Sequence, residues 1–186
     1  MLVVEAAHVE LAEDDRGVYR RRMATDLPAV LPAPLRAALE DDVDRDVGFT
    51  VLLITTSEAA WPRVSMVGVA ELSVNSPERL LLALWPSSTA AANIGHSGRA
   101  TLAAVVAGVS YVVHARARPL ADITPGRSGR LACFALQVVA ATADEAPYAV
   151  LETGVRFRLR EPDDAIARWR ELRAALRDLA ARDAAQ

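Results

Sequence analysis

The sequence predicts a mainly β fold, a β-barrel with flanking helices. Between Gly48 and Thr142, short runs rich in valine, leucine and isoleucine alternate with turn-forming segments that contain glycine, proline, asparagine or serine. Such runs are typical of β-strands. They are apolar on more than one face, which favours a closed or partly closed sheet without stable edges. After Pro162 the apolar residues change to a helical spacing, which predicts a C-terminal helix.

Residues 1–33 form an N-terminal arm in this prediction, because the segment has no clean periodicity and is interrupted by a glycine and several prolines. Pro34 then occupies a first-turn position, and Leu35, Leu39 and Val43 follow at helical intervals. This spacing predicts a short amphipathic helix. Acidic residues crowd its end and oppose the helix dipole, so we expect the helix to fray early.

The predicted barrel domain spans residues 34–160. Three runs, "GFTVLLITT", "RVSMVGVAELSV" and "LLLALW", predict an antiparallel three-strand meander. Three further strands are predicted in "RATLAAVV", "VSYVVHARARPL" and "LACFALQVVAAT", with a break at Gly108 between the first two. A final strand is predicted in "GVRFRLRE".

Residues 161–186 form the predicted C-terminal helix. Asp163 and Asp164 lie in its first turn, where negative charge is favourable. The apolar residues that share one face are Ile166, Trp169, Leu172, Leu176 and Leu179. We expect this face to pack on the barrel or on a partner subunit.

The composition indicates a globular protein that needs no disulfide or metal to fold. Of its 186 residues, 52% are hydrophobic and only 5% aromatic, so alanine, valine and leucine must build the core. The net charge of −3 gives no electrostatic attraction to nucleic acid. No uncharged apolar run approaches the ~20 residues that cross a bilayer, and Glu5 and Glu10 interrupt the N-terminus where a signal peptide would be apolar. With a lone Cys133, these features predict a cytoplasmic protein without a membrane or nucleic-acid partner.

Several chemistries are excluded by what the sequence lacks. All 21 basic residues other than histidine are arginines, so neither a pyridoxal-phosphate Schiff base nor a lysine-dependent phosphate loop is possible. There is no Gly-x-Gly-x-x-Gly segment. His8, His96, His114 and Cys133 are too dispersed for a zinc site, and we therefore expect no metal. In "GHSGR", Arg99 occupies the position that a hydrolase nucleophile elbow requires to be glycine.

Polar residues collect in one segment between two apolar runs, "WPSSTAAANIG" at Trp85–Gly95. It predicts a short helix with Ser87 or Ser88 at the N-cap, Pro86 just before it and Gly95 at its end. The free N–H groups of a helix start, flanked by hydroxyls, can bind a phosphate group. The simpler alternative is that the serine only caps the helix.

Two motifs accompany this order of strands and helix. The first is Pro-x-Val-Ser, which begins at Pro62, and the second is Ser-x-x-x-x-Asn, which spans Ser88–Asn93. Together they resemble the FMN-binding split barrel of the pyridoxamine 5′-phosphate oxidase-like family. The resemblance covers about residues 35–117, and the last strand and the tryptophan-containing helix also look like those of the family. It implies a split β-barrel of Greek-key-like topology.

The resemblance further implies a homodimer with an FMN site at the subunit interface and an oxidoreductase activity on a small, unidentified molecule. The strand residues that would lie beside the flavin are Arg63, Val64, Ser65 and Met66. The residues that would meet the phosphate are Ser87, Ser88 and Thr89, whereas Asn93 would brace the helix. No catalytic residue is assigned, because the flavin would carry the reaction.

The sequence departs from the family at Ala90, which stands where the family pattern has its phosphate-binding lysine. Loss of such a contact should weaken binding by about 1.5–3 kcal/mol unless an arginine replaces it. Arg63, Arg99 and Arg116 are the candidates. Two alternatives stay open: a split-barrel dimer without cofactor that acts as a binding module, and a relative that binds F420 or haem.

Individual residues also have plain interpretations. Arg63 could end its strand in water, and Ser65 could be an ordinary inward-facing residue. His114 lies in an apolar strand and is expected to be a hydrogen-bonded core histidine. Trp85 and Tyr111 could stack on a flavin, but core positions are the favoured prediction for both.

Overall fold

The computed structural model describes residues 24–40, 47–146 and 148–184. Its strands and helices are β1 (Ala24–Leu27), α1 (Ala33–Glu40), β2 (Thr50–Thr56), β3 (Pro62–Gly68), β4 (Leu72–Ser76), β5 (Arg79–Leu84), α2 (Thr89–Ser97), β6 (Arg99–Val106), β7 (Val109–Pro119), β8 (Ala132–Asp144) and α3 (Pro162–Ala184). Short 3₁₀ helices cover Val69–Glu71 and Gly126–Ser128. Residues 1–23 of the predicted arm, His8 among them, and Val43 of the first predicted helix lie outside the described residues.

The described strands form one antiparallel sheet in the order β3-β2-β6-β7-β8-β5-β4, and β1 pairs with β8 beside this path. The sheet curls into a half-barrel, and α3 packs against it. The predicted fold class, a mainly β split barrel with a C-terminal helix, is thereby confirmed. The strand β8 is the longest and pairs with β7 along one edge, while β5 and β1 share its other edge.

The predicted three-strand meander is wrong. The run "RVSMVGVAELSV" is two strands, because the chain leaves β3 at Gly68 and turns through Val69–Glu71 before β4 begins. The Glu71 carboxylate accepts the Gly68 N–H and so holds this turn, and burial raises the pKa of that carboxyl group. As a result β3 and β4 lie at opposite ends of the strand order.

Two further differences concern the ends of the chain. The predicted strand in "GVRFRLRE" does not form, and only a single bridge joins Arg156 to Phe49. Instead, Phe157 packs edge-on against Trp169 with ring centroids 6.0 Å apart. Within the predicted N-terminal arm, Ala24–Leu27 forms β1, since β8 extends beyond β5 and leaves an edge that this segment covers.

The helix α3 begins at Pro162 as predicted, and it packs on β4, β5 and the two 3₁₀ turns. Its buried apolar residues include Leu172, Leu176 and Leu179. Near its end, the buried Asp183 carboxylate pairs with Arg118 at 2.6 Å and with Arg79 at 3.3 Å.

The sheet has two faces that differ in burial. In antiparallel pairing, residues directly opposite each other share a face. Leu53 pairs with Leu102, which pairs with Val113, and all three are fully buried, so we call this the inner face. On the other, outer face, Ile54 pairs with Thr101 and Thr101 with His114, and these side chains are half-buried or exposed.

Within the described ranges, no helix has both the length and the apolarity to cross a membrane. Over the same residues, no three histidine, cysteine, aspartate or glutamate side chains lie together in a way that could hold a metal ion.

Candidate functional site

The amino terminus of α2 lies directly after β5 and has the geometry of a capped helix. Ser88 is the N-cap, and its Oγ accepts the Ala91 N–H at 3.2 Å. The Ala92 N–H is bonded to the Ser88 carbonyl. The N–H groups of Thr89 and Ala90 therefore have no acceptor among the described residues, as expected for a first helical turn. The prediction of a helix with Ser87 or Ser88 at its N-cap is confirmed, and the cap is Ser88.

The predicted end of this helix is wrong. Gly95 lies inside α2, which continues to Ser97 and ends at Gly98 in the left-handed region with φ 63°. The Gly98 N–H donates to the Ile94 carbonyl, so this residue closes the helix. Because the sequence holds two glycines in four residues, composition alone could not distinguish the helical one from the cap.

One buried hydrogen bond fixes α2 on the sheet. Asn93 is buried, and its Nδ2 donates to Oγ1 of the buried Thr55 at 2.9 Å. The expectation that Asn93 braces the helix is confirmed. Thr55 pairs directly with Arg63 of β3, so the two share the inner face and their Cβ atoms are about 5 Å apart. Arg63 thus lies one strand away from the residue that holds α2.

The four predicted residues of β3 are divided between the two faces. Arg63 and Ser65 pair with Thr55 and Leu53 on the inner face. Val64 and Met66 point to the outer face, where they are 62% and 67% exposed. Arg63 is itself exposed, since the inner face opens to solvent at this end of the strand. Its guanidinium has no carboxylate partner within the described part of the chain.

The residues around the start of α2 differ in exposure. Ser87 and Thr89 are exposed, whereas Ser88 is half-buried and its hydroxyl already bonds the Ala91 N–H. Ala90, at the position of the family lysine, is 4% exposed and packs into the core. Of the three candidate arginines, only Arg63 shares a face with Thr55. The other two, Arg99 and Arg116, pair with each other on the outer face.

Two core predictions were wrong. His114 is exposed on the outer face, although its Nδ1 is hydrogen-bonded to Thr101 Oγ1 at 2.9 Å. Trp85 is 56% exposed and lies beside Gly129. Tyr111 is buried as predicted. The exposure of His114 could have been predicted from strand alternation. Tyr111, Val113 and Ala115 are the buried residues of β7, so His114 between them points to the other face.

The one cysteine offers no nucleophile. Cys133 lies on β8 in the core, and burial raises its pKa to about 11. A thiol with this pKa stays protonated at neutral pH and is a poor nucleophile. The polar groups near α2 are exposed hydroxyls and free N–H groups at its start, together with Arg63 on β3.

The donor set fits an FMN phosphate. The positive end of the α2 dipole, the free N–H groups of Thr89 and Ala90 and the hydroxyls of Ser87 and Thr89 are suited to an oxyanion. Arg63 can supply the positive charge that Ala90 cannot. Val64 and Met66 offer exposed apolar surface of the kind that an aromatic ring system covers.

Sequence comparison gives one curated relative, and no protein-family model matches the chain. The uncharacterized protein YclD of Bacillus subtilis is 32% identical over 120 residues, which are 64% of this chain and 77% of YclD.

Structure comparison gives neighbours of the predicted fold. A candidate pyridoxamine 5′-phosphate oxidase from Lactobacillus delbrueckii has a TM-score of 0.50 at 17% identity, over 62% of this chain and 97% of that one. An F420 reductase has a TM-score of 0.45 at 10% identity, over 60% and 98% of the two chains.

The fold is the split barrel of pyridoxamine 5′-phosphate oxidase-like proteins. By sequence, the chain belongs to the family of YclD.

Proposed function

We propose that this protein binds FMN and uses it for two-electron redox chemistry on a small molecule. The observation that carries the proposal is the amino terminus of α2, where free N–H groups and exposed hydroxyls begin a helix that Asn93 bonds to β2, the strand paired with Arg63 of β3. The split-barrel fold, which this chain shares with a candidate pyridoxamine 5′-phosphate oxidase, supports the same interpretation.

The phosphate would be held by two kinds of contact. The N–H groups of Thr89 and Ala90 and the hydroxyls of Ser87, Ser88 and Thr89 would donate hydrogen bonds to its oxygens. Arg63 would add a charge-assisted bond, and its planar fork suits a phosphate better than a lysine does. Because α2 is fixed by the Asn93–Thr55 bond, these donors are already oriented before the ligand arrives.

The ring system would lie against β3. Arg63 and Ser65 would lie beside it on the inner face, while Val64 and Met66 would lie on the opposite face of the same strand. When bound, the flavin would supply the electron acceptor and donor, so the chain's own residues need only bind, orient and desolvate it. For this reason no side chain of the protein is assigned a catalytic role.

A second copy of the chain would complete the site. Val64 and Met66 are both more than half exposed, and large apolar groups exposed together mark interaction surfaces. A homodimer through the outer face of β2 and β3 would cover them and close the flavin from water. Sedimentation tests this directly, since a monomer at micromolar concentration contradicts the homodimer. The proposed compartment is the cytoplasm, where the free Cys133 stays reduced.

The experiment is a visible spectrum of the purified protein before and after addition of FMN, F420 or haem and removal of the unbound excess. We expect a retained flavin spectrum in the wild type and in Arg177→Ala, a control at an exposed position of α3. Arg63→Ala should lose the flavin while keeping its unfolding midpoint. Retained FMN affinity in Arg63→Ala would remove Arg63 from the site.

A second candidate function is a split-barrel dimer that binds a protein or a colourless ligand without a cofactor. The buried Ala90, in place of a charged phosphate ligand, favours it. Under this alternative all three coloured ligands wash away from a protein that still sediments as a dimer. If the protein retains F420 or haem but not FMN, it is a ligand-binding split barrel whose ligand is not FMN.

A further inference from the structure

Two arginines lie directly opposite each other on the outer face of the sheet. Arg99 of β6 pairs in register with Arg116 of β7, and both side chains are exposed. Directly opposed residues have Cβ atoms about 5 Å apart, and like charges in such pairs destabilise a sheet. Among the described residues, no carboxylate contacts either guanidinium. The pair is therefore a local concentration of positive charge that an anion would neutralise.

The neighbouring cross-strand pair on the same face adds hydrogen-bonding groups. Thr101 and His114 pair in register, and Thr101 Oγ1 lies 2.9 Å from His114 Nδ1. This bond fixes the imidazole ring, and its Nε2 has no partner in the described part of the chain. The four side chains, Arg99, Thr101, His114 and Arg116, form a compact polar group that we call the outer cluster.

The outer cluster is distinct from the proposed flavin phosphate site. Arg63 and Thr55 lie on the inner face, whereas Arg99 and Arg116 lie on the outer face. Arg99 also follows the carboxyl end of α2, while the phosphate donors are at its amino end. A nine-residue helix separates the two ends by roughly 13 Å. The two groups cannot bind the same phosphate.

The surface next to the outer cluster is mostly apolar. Ala103 and Val105 follow Thr101 on the same face of β6 and are half-buried. They line a cleft of about 90 Å³ together with Gly154 and Val155, and the hydroxyl residues Thr50 and Ser110 also line it. A ligand that contacts both the outer cluster and this cleft has an acidic group at one end and an apolar body at the other.

We propose that the outer cluster binds the oxyanion group of a small acidic molecule, a phosphate ester or a carboxylate, whose apolar body lies along β6 toward this cleft. Two guanidinium forks from opposite strands can bind such a group in a bidentate manner. The proposal does not depend on flavin binding, because none of its residues belongs to the proposed flavin site.

The test is a calorimetric titration of the full chain with phenyl phosphate, benzoate and inorganic phosphate. Each titration is run on the wild type, Arg99→Gln, Arg116→Gln and the control Arg177→Gln, with and without saturating FMN. We expect phenyl phosphate or benzoate to bind the wild type more tightly than inorganic phosphate does. Either cluster variant should lose affinity by about tenfold or more, whereas the control should not. Tighter binding of phenyl phosphate would identify the acidic group as a phosphate ester, and tighter binding of benzoate would identify it as a carboxylate.

Stability measurements separate loss of binding from loss of fold. Without ligand, Arg99→Gln and Arg116→Gln should unfold at the same temperature as the wild type or higher, because each removes a like-charge contact. Unchanged affinity in both variants would overturn the proposal. So would competition with FMN, or loss of phenyl phosphate binding in Arg63→Gln. A shift in sedimentation without a change in affinity would instead assign the pair to contact with a second copy, and would also overturn it.

Discussion

The helices α2 and α3 are held on the same sheet by different chemistry. The nine-residue α2 buries Ala90, Ala91 and Ile94 and makes one neutral buried bond, from Asn93 to Thr55. The 23-residue α3 buries a row of leucines, and Asp183 at its end pairs with two arginines. The amino end of α2 keeps free donors and exposed hydroxyls, whereas Asp183 and Arg173 of α3 bond other elements of the protein. The long helix contributes buried apolar area and ion pairs, whereas the short one leaves polar groups at its start exposed.

Leu176→Ala should give the largest effect. Leu176 is fully buried under α3, so truncation should lower the free energy of unfolding by about 2–5 kcal/mol, as measured in urea. FMN affinity of the folded protein should be unchanged. Arg177→Ala, the exposed neighbour, should stay within about 0.5 kcal/mol of the wild type. Loss of flavin from a fully folded Leu176→Ala would contradict the division between the two helices.

Asp183→Asn should destabilise the protein by about 1–2 kcal/mol, because it leaves Arg79 and Arg118 without their carboxylate. Both arginines are partly exposed, so solvent screens them and limits the loss. Urea denaturation at low and high sodium chloride checks the cause, since salt should reduce the difference from the wild type. Equal stability of the two proteins at low salt would show that these pairs contribute nothing.

Asn93→Ala tests the other helix. It leaves the buried Thr55 hydroxyl without its donor, which should cost about 1 kcal/mol of stability. Unlike the α3 variants, it should also weaken FMN binding, because the first turn of α2 is no longer held in place. Thr55→Val is the matched partner, and the double variant should lose little beyond either single one. Independent, additive losses would show that the bond does not couple the two residues.

The two glycines of α2 should respond with opposite signs. Gly98 has φ 63°, so Gly98→Ala should destabilise the protein by about 1 kcal/mol. Gly95 is inside the helix and a Cβ there would meet nothing within 4 Å, so Gly95→Ala should stabilise it by about 0.5–1 kcal/mol. Thermal unfolding measures both. If both variants changed the unfolding temperature in the same direction, α2 would not end at Gly98.

Local patterns in the sequence predicted both helices well. Ser88 and the alanines after it specify α2, and the leucine spacing after Pro162 specifies α3, because capping and amphipathicity act over a few residues. The end of α2 was missed since Gly95 and Gly98 are equivalent in composition. The roles of Arg63 and Ser88 in phosphate binding stay predictions.

Strand pairing could not be predicted in the same way. No residue type marks Gly68 as the point where the chain crosses from one edge of the sheet to the other, because "GVAEL" continues the apolar pattern. The segment Ala24–Leu27 becomes a strand only because β8 offers it an edge. The pairing of Arg99 with Arg116 likewise depends on register, which two separate runs of sequence do not specify.

The strand β8 has a consequence for synthesis on the ribosome. Its partners β1, β5 and β7 all precede it in the chain, and β1 is the first described strand. None of these three edges can be covered until Ala132–Asp144 has emerged. The nascent chain must therefore leave these edges uncovered until β8 is available, and completion of the sheet must wait for long-range contacts that form slowly.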